Sequence, residues 1–217
     1  MNKMSDVLIY QFSLARSDKY TFKNVKNNQP CTNSKNEFSP GLYFCSLILK
    51  EDFSIPVNKY IFNINGKPSL ESGEYGFSIS YTNNYVYIAI VRNNVVGIDA
   101  EQIGNINLNV SEEFMSEVEL RKLHDAPNKY EYFYKIWTLK ESYIKLVGKG
   151  IDDSITDIEF IEDKNGRFSL HKNAEQKIYF SNFTSKDCIL SVASFNLMNY
   201  EIIDFDNIEE FLKKYEN

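Results

Sequence analysis

Asp99, Glu101 and Glu141 are the residues of this 217-residue chain whose types and spacing suit a shared cation. Val95–Glu101 reads VVGIDAE. In a strand alternate side chains share a face, so Asp99 and Glu101 point one way while Ile98 and Ala100 point the other. Two carboxylates held side by side repel, and such arrays persist where a cation neutralises them. A few oxygen ligands completed by water and phosphate oxygens are what Mg²⁺ takes. Glu141 supplies the third carboxylate from Tyr132–Gly150, YFYKIWTLKESYIKLVGKG. There Phe133, Ile136, Trp137, Ile144 and Val147 recur at the spacing of an amphipathic helix, which Gly148 and Gly150 stop. Glu141 falls four residues after Trp137 and three before Ile144, on the border of the buried stripe. Lys135, Lys140, Lys145 and Lys149 surround it and leave that segment at net charge +3 in a chain whose total is −6. Such a surplus suits an anionic ligand. Taken alone, the helix reads equally well as a core helix with a Glu141–Lys145 surface pair worth ~0.3–0.5 kcal/mol. The paired Asp99 and Glu101 tip the reading toward a divalent metal and an anion.

The elements that must position these groups follow from pattern. Val7–Leu14 reads as a strand and Asp18–Glu37 as a long polar loop. Ser39-Pro40 opens a helix with a broad apolar face through about Lys50. Lys59–Asn65, Gly76–Tyr81, Tyr85–Arg92 and Val95–Glu101 read as the strands of one antiparallel sheet, with turns at Thr82-Asn83-Asn84 and Asn93-Asn94. Ser116 and Glu119 have capping-box spacing for a helix to about His124. After the central helix come strands at Ile155–Ile161, Arg167–His171, Lys177–Phe183, Cys188–Phe195 and Tyr200–Asp204, then a terminal helix capped by Asn207.

Composition narrows the class. Hydrophobic residues at 43% and aromatics at 15% describe a globular chain, and a net charge of −6 argues against general nucleic-acid binding. Cys31, Cys45 and Cys188 have neither the number nor the spacing of a disulfide framework or zinc site. No stretch reaches the ~18 apolar residues of a membrane span. A cytoplasmic protein is expected. His124 and His171 read as surface or hydrogen-bonded histidines.

GIDAE at 97–101 followed by WTLKESYIK at 137–145 resembles the paired signature, G-[IV]-D-x-E and W-x-x-K-E-[SA]-x-x-K, of the 4′-phosphopantetheinyl transferases of surfactin-synthetase-activating type, in the holo-acyl-carrier-protein synthase superfamily. Phe114–Leu120 is similar to a segment between the family's two motifs, and Gly66-Lys67-Pro68 looks like its G-K-P turn. The resemblance implies an α+β fold of two similar lobes in a pseudo-twofold arrangement, each a small antiparallel sheet packed with a long helix, with the active site between them. Residues 1–96 would form the coenzyme A side and 97–217 the metal and carrier-protein side. It implies Mg²⁺-dependent transfer of 4′-phosphopantetheine from coenzyme A to a serine of an apo acyl or peptidyl carrier protein, with Mn²⁺ as a substitute metal. Asp99, Glu101 and Glu141 would be the metal ligands and Glu141 and Lys145 the catalytic pair. Gly66, Lys67, Pro68, Ser80, Tyr81 and Lys145 would bind coenzyme A. No nucleic acid or membrane partner is implied, and a monomer serving a biosynthetic pathway is expected. The alternative is a non-catalytic binding module for the same carrier or coenzyme.

Overall fold

The computed structural model describes residues 5–13, 39–57, 60–171 and 176–216. The expected loop Asp18–Glu37 and Cys31 lie outside them. In chain order the elements are β1 (Ser5–Ser13), α1 (Pro40–Phe53), β2 (Tyr60–Phe62), β3 (Pro68–Leu70), β4 (Tyr75–Tyr81), β5 (Tyr85–Arg92), β6 (Val96–Gln102), α2 (Glu117–Asp125), α3 (Lys129–Val147), β7 (Phe160–Glu162), β8 (Phe168–Leu170), β9 (Tyr179–Ser185), β10 (Cys188–Ser194), β11 (Met198–Phe205) and α4 (Ile208–Tyr215). The class is mixed α+β. Among the described residues no helix is long and apolar enough to cross a membrane.

Strand alternation builds the layers. In the first sheet, ordered β11-β1-β5-β4, Tyr10, Phe12, Val86, Ile88 and Ile90 meet Phe44, Ile48 and Leu49 of α1 and Phe211 and Tyr215 of α4 in one core. The opposite face of the same strands, through Val7, Ile9, Tyr87, Ala89 and Val91, packs on Val96, Ile98, Ala100, Leu190 and Val192 of the second sheet. That sheet, ordered β6-β10-β9, turns its other face to α3, where Phe133, Ile136, Leu139 and Ile144 cluster with Ile189. The order of layers is therefore helices, sheet, sheet, helix.

Three expectations are corrected. Of the four strands expected in the first sheet two lie elsewhere: β2, at Tyr60–Phe62, pairs with β3 in a separate hairpin, and β6 pairs antiparallel with β10. It touches β4 through side chains instead, since Ser78 Oγ and Ser80 Oγ accept the Ile98 and Ala100 amides at 3.1 Å each. The last strand, β11, runs parallel to β1, so the chain's final elements complete the first sheet. Ile155–Ile161 is not one strand. Asp152 Oδ1 accepts the Ser154 amide at 2.9 Å, which starts a 3₁₀ turn over Asp153–Asp157 and leaves only Phe160–Glu162 to pair.

The helix ends follow the expected chemistry. Ser116 and Glu119 form a reciprocal capping box on α2. Asn207 caps α4 through the Glu210 amide at 3.0 Å. α3 starts on Asn128 and ends on Gly148, whose φ of 71° is the left-handed conformation glycine adopts without a Cβ penalty.

Candidate active site

Asp99 and Glu101 leave β6 toward α3, while Ile98 and Ala100 are buried against the first sheet. What lets the helix come close is Gly97: a Cβ there would lie 2.0 Å from the Ser142 carbonyl oxygen. With the helix backbone seated on the strand, Glu141 and Lys145, one turn apart, face Asp99. Lys145 Nζ lies 2.6 Å from Asp99 Oδ1. Ser80 Oγ donates to the same oxygen at 2.9 Å, and Lys145 Nζ reaches Ser80 Oγ at 3.4 Å. Trp137 Nε1 donates to Glu101 Oε1 at 3.2 Å.

The electrostatics are those of crowded acids. Burial, then the Asp99 charge, push the Glu141 carboxyl up to about 7, against the opposing pull of Lys145. Burial and Asp99 also raise Glu101, which the Trp137 hydrogen bond partly offsets. Asp99 Oδ2 and Glu141 Oε1 are both buried with no hydrogen-bond partner. Leaving a buried charged acceptor unsatisfied costs more than ~1–3 kcal/mol.

As placed, no three acidic, imidazole or thiol side chains among the described residues close on one point, and the Lys145 ammonium is what neutralises Asp99. The donor set nevertheless fits a hard divalent cation. It offers carboxylate oxygens only, two of them buried and lacking any donor, on three groups whose charge one lysine does not balance.

Beside this cluster runs a cleft of about 270 Å³. One wall is the β2–β3 turn with Asn65, Gly66, Lys67 and Pro68; the other is α3 and its end, with Glu141, Ile144, Lys145, Gly148 and Gly150. Burial pushes the Lys67 ammonium down to about 8. Five of the residues expected from the sequence, Gly66, Lys67, Pro68, Glu141 and Lys145, thus share one cavity. Ser80 sits behind it on Asp99. Tyr81 stands apart from the cleft lining: its hydroxyl accepts the Gly41 amide at the start of α1, beside Ser39, and the residue is 45% exposed.

The lysines do not act together as their sequence suggested. Lys135 pairs with Glu131 at 2.7 Å. Lys140 is fully buried and bonds Glu119 at 2.8 Å and the Phe114 and Ile155 carbonyls at 2.5 and 3.2 Å. Glu119 in turn accepts the Ser116 and Phe160 amides at 2.9 and 2.8 Å. That network ties α2, α3 and the segment before β7 together and leaves Lys140 no role toward an anion. Trp137 as a partner of Glu101, and Asn63 and Asn65 beside the cleft, were not singled out by sequence. Asn63 and Asn65 fall at the end of the expected strand Lys59–Asn65, and no local signal tells what that segment will touch.

Residues 95–197 match the model of the 4′-phosphopantetheinyl transferase superfamily. The 4′-phosphopantetheinyl transferase psf-1 of Bacillus pumilus is 32% identical over 128 residues, covering 57% of this chain and 54% of that protein. The transferase gsp of Aneurinibacillus migulanus is 37% identical over 116 residues, covering 52% and 47%. Sfp of Bacillus subtilis strain 168 is 29% identical over 124 residues, covering 56% and 53%. The chain thus aligns with about half the length of these relatives. The holo-[acyl-carrier-protein] synthase of Thermotoga maritima overlaps 46% of this chain and 61% of its own at 25% identity, with a TM-score of 0.41. Residues 95–197, the stretch similar to that superfamily, hold both carboxylate motifs and all of α3.

Proposed function

We propose that the chain transfers the 4′-phosphopantetheine arm of coenzyme A to a serine hydroxyl of an apo acyl or peptidyl carrier protein, releasing adenosine 3′,5′-bisphosphate. One observation carries the reading: Asp99, Glu101, Glu141 and Lys145 meet at the β6–α3 junction, beside a cleft walled by Gly66, Lys67 and Pro68, with two buried carboxylate oxygens lacking donors. The names of the similar proteins support the reaction class.

Asp99, Glu101 and Glu141 would hold Mg²⁺, or Mn²⁺ in its place, and the bound ion would neutralise charge on the pyrophosphate oxygens. In the transfer the serine oxygen bonds to the phosphorus nearer the pantetheine, and the bond from that phosphorus to the bisphosphate leaving group breaks. Glu141, its carboxyl lifted to about 7, takes the proton the serine gives up, directly or through water. Lys145, already 2.6 Å from Asp99, donates to the departing phosphate oxygen. Ser80 orients both Asp99 and Lys145. Gly66, Lys67 and Pro68 would line the adenine end, and Tyr81, outside the cleft lining on the α1 side, would reach only phosphates that extend past the cleft.

In this reading the two halves act as similar lobes, each a small sheet under a long helix, α1 in residues 1–96 and α3 in 97–217. The tail elements β11 and α4 are lent back to the first. The protein would act as a cytoplasmic monomer. The test is incubation with coenzyme A, Mg²⁺ and a panel of apo carriers, followed by mass spectrometry. One carrier gains a single phosphopantetheine, and EDTA abolishes the gain. Coenzyme A binding without transfer to any carrier would replace this reading with that of a binding module.

A further inference from the structure

The end of α3 is finished by side chains from elsewhere. The last carbonyls of a helix have no intrahelical donor, and here those of Leu146 and Gly148 are taken by the turn between β2 and β3. Asn63 Nδ2 donates to the Gly148 oxygen at 2.8 Å from 85 residues earlier in the chain. Asn65 Nδ2 donates to the same oxygen at 2.9 Å, and Lys67 Nζ to the Leu146 oxygen at 3.2 Å. Asn63 is engaged at both ends: its Oδ1 accepts the Asn65 and Lys67 amides at 3.0 and 2.9 Å. Those two bonds fix which way the amide points, so its NH₂ group must face the helix. Gly148 is shaped for the contact, since a Cβ there would lie 2.8 Å from Asn63 Nδ2.

The two parties to these bonds are the two walls of the cleft. Gly66, Lys67 and Pro68 belong to the turn; Lys145 and Gly148 belong to the last turn of α3. We propose that Asn63 and Asn65 are positioning residues, a latch that caps α3 from across the cleft and thereby sets the spacing between the turn and the Glu141–Lys145 face for the coenzyme. The ligand, coenzyme A, rests on the transfer reading; the latch rests on geometry alone.

Asn63→Asp keeps the acceptor that braces the turn and removes the donor to Gly148. Asn65→Ala removes the second donor. Loss of two part-buried neutral hydrogen bonds predicts a rise in the KM for coenzyme A of about three- to tenfold in the double variant, with kcat changed less than about twofold. Amide hydrogen exchange at Val147 and Gly148 should accelerate severalfold while that at Ile98 and Ala100 stays put, and Asn65→Gln, which retains a donor, should restore part of the KM in the Asn63→Asp background. Both the KM change and the local exchange change are required. Unchanged exchange at Val147 and Gly148, or an unchanged KM, overturns the latch. Exchange faster across the whole molecule with kcat and KM worsening together makes these residues scaffold only, which overturns it as well. If the parent chain modifies no carrier, the transfer reading falls, and the exchange arm, with coenzyme A affinity by calorimetry in place of KM, still decides the latch.

Discussion

Gly97→Ala probes the contact on which the site depends. The added methyl would lie 2.0 Å from the Ser142 carbonyl oxygen and 2.6 Å from the Leu146 amide nitrogen, where ordinary contact begins at 3.4 Å. Both neighbours are helix backbone and cannot rotate away, so α3 must lift from β6 by on the order of 1 Å. Overpacking of this kind costs ~1–3 kcal/mol or somewhat more. In a chain of this size that lowers Tm by about 2–12 °C, at about 2–4 °C per kcal/mol. The chemical effect should be larger. Lys145 and Asp99, 2.6 Å apart, ride on the two surfaces that separate, and a misplacement of ~1 Å costs on the order of 10²-fold in rate. Scanning calorimetry and single-turnover transfer at saturating coenzyme A read the two effects. A variant melting within about 1 °C of the parent and keeping its rate within about twofold would refute the close approach as what sets the site.

Lys145→Ala should lower kcat by on the order of 10²–10³ in steady-state transfer, the scale for deleting one transition-state donor, with Tm little changed because the side chain is 29% exposed. Lys140→Ala should do the reverse. It strands Glu119 in a site with no exposure, so chemical denaturation should show a loss of about 3–5 kcal/mol, while the folded fraction keeps its rate at low temperature. Coenzyme A affinity measured by calorimetry should hold below pH 8 and weaken above it as Lys67, depressed to about 8, loses its charge; Lys67→Arg should move that loss out of range. The stability effect has the opposite sense. The unfolded chain keeps this lysine protonated to its ordinary 10.5, so its burial costs stability below about 8 and the cost fades between there and 10.5.

Much of this was legible because it is local. Period-two alternation in β6 put Asp99 and Glu101 on one face, and helical spacing put Glu141 and Lys145 on one stripe. The caps at Ser116, Asn207 and Gly148 were written in short segments. What failed was identity of neighbours. Alternation says which face a strand buries, not which strand lies beside it, so β6 was joined to the wrong sheet and β11 was not seen beside β1. β3 was passed over because it opens on Pro68, a residue that reads as a breaker and is tolerated in a strand's first position. Lys140 was misread for a related reason. It adjoins Glu141 in sequence, but one helical residue turns by about 100°, so it faces Glu119 and the core instead of the cleft.

The parallel pairing of β1 with β11 bears on how the molecule comes to be made. Synthesis delivers β1 well before β11, with 193 residues separating Gln11 from Asp204, whose side chains bond at 3.0 Å. Until Phe205 has left the ribosome, one edge of β1 presents unpaired amides and carbonyls to whatever strand is near. The second sheet needs only β6, β9 and β10, and α3 precedes the last two, so that sheet and α3 can assemble while the first sheet still waits for its fourth strand. The slow step in folding should therefore be the docking of β11 and α4, and the species that accumulates before it should be the one most prone to aggregate.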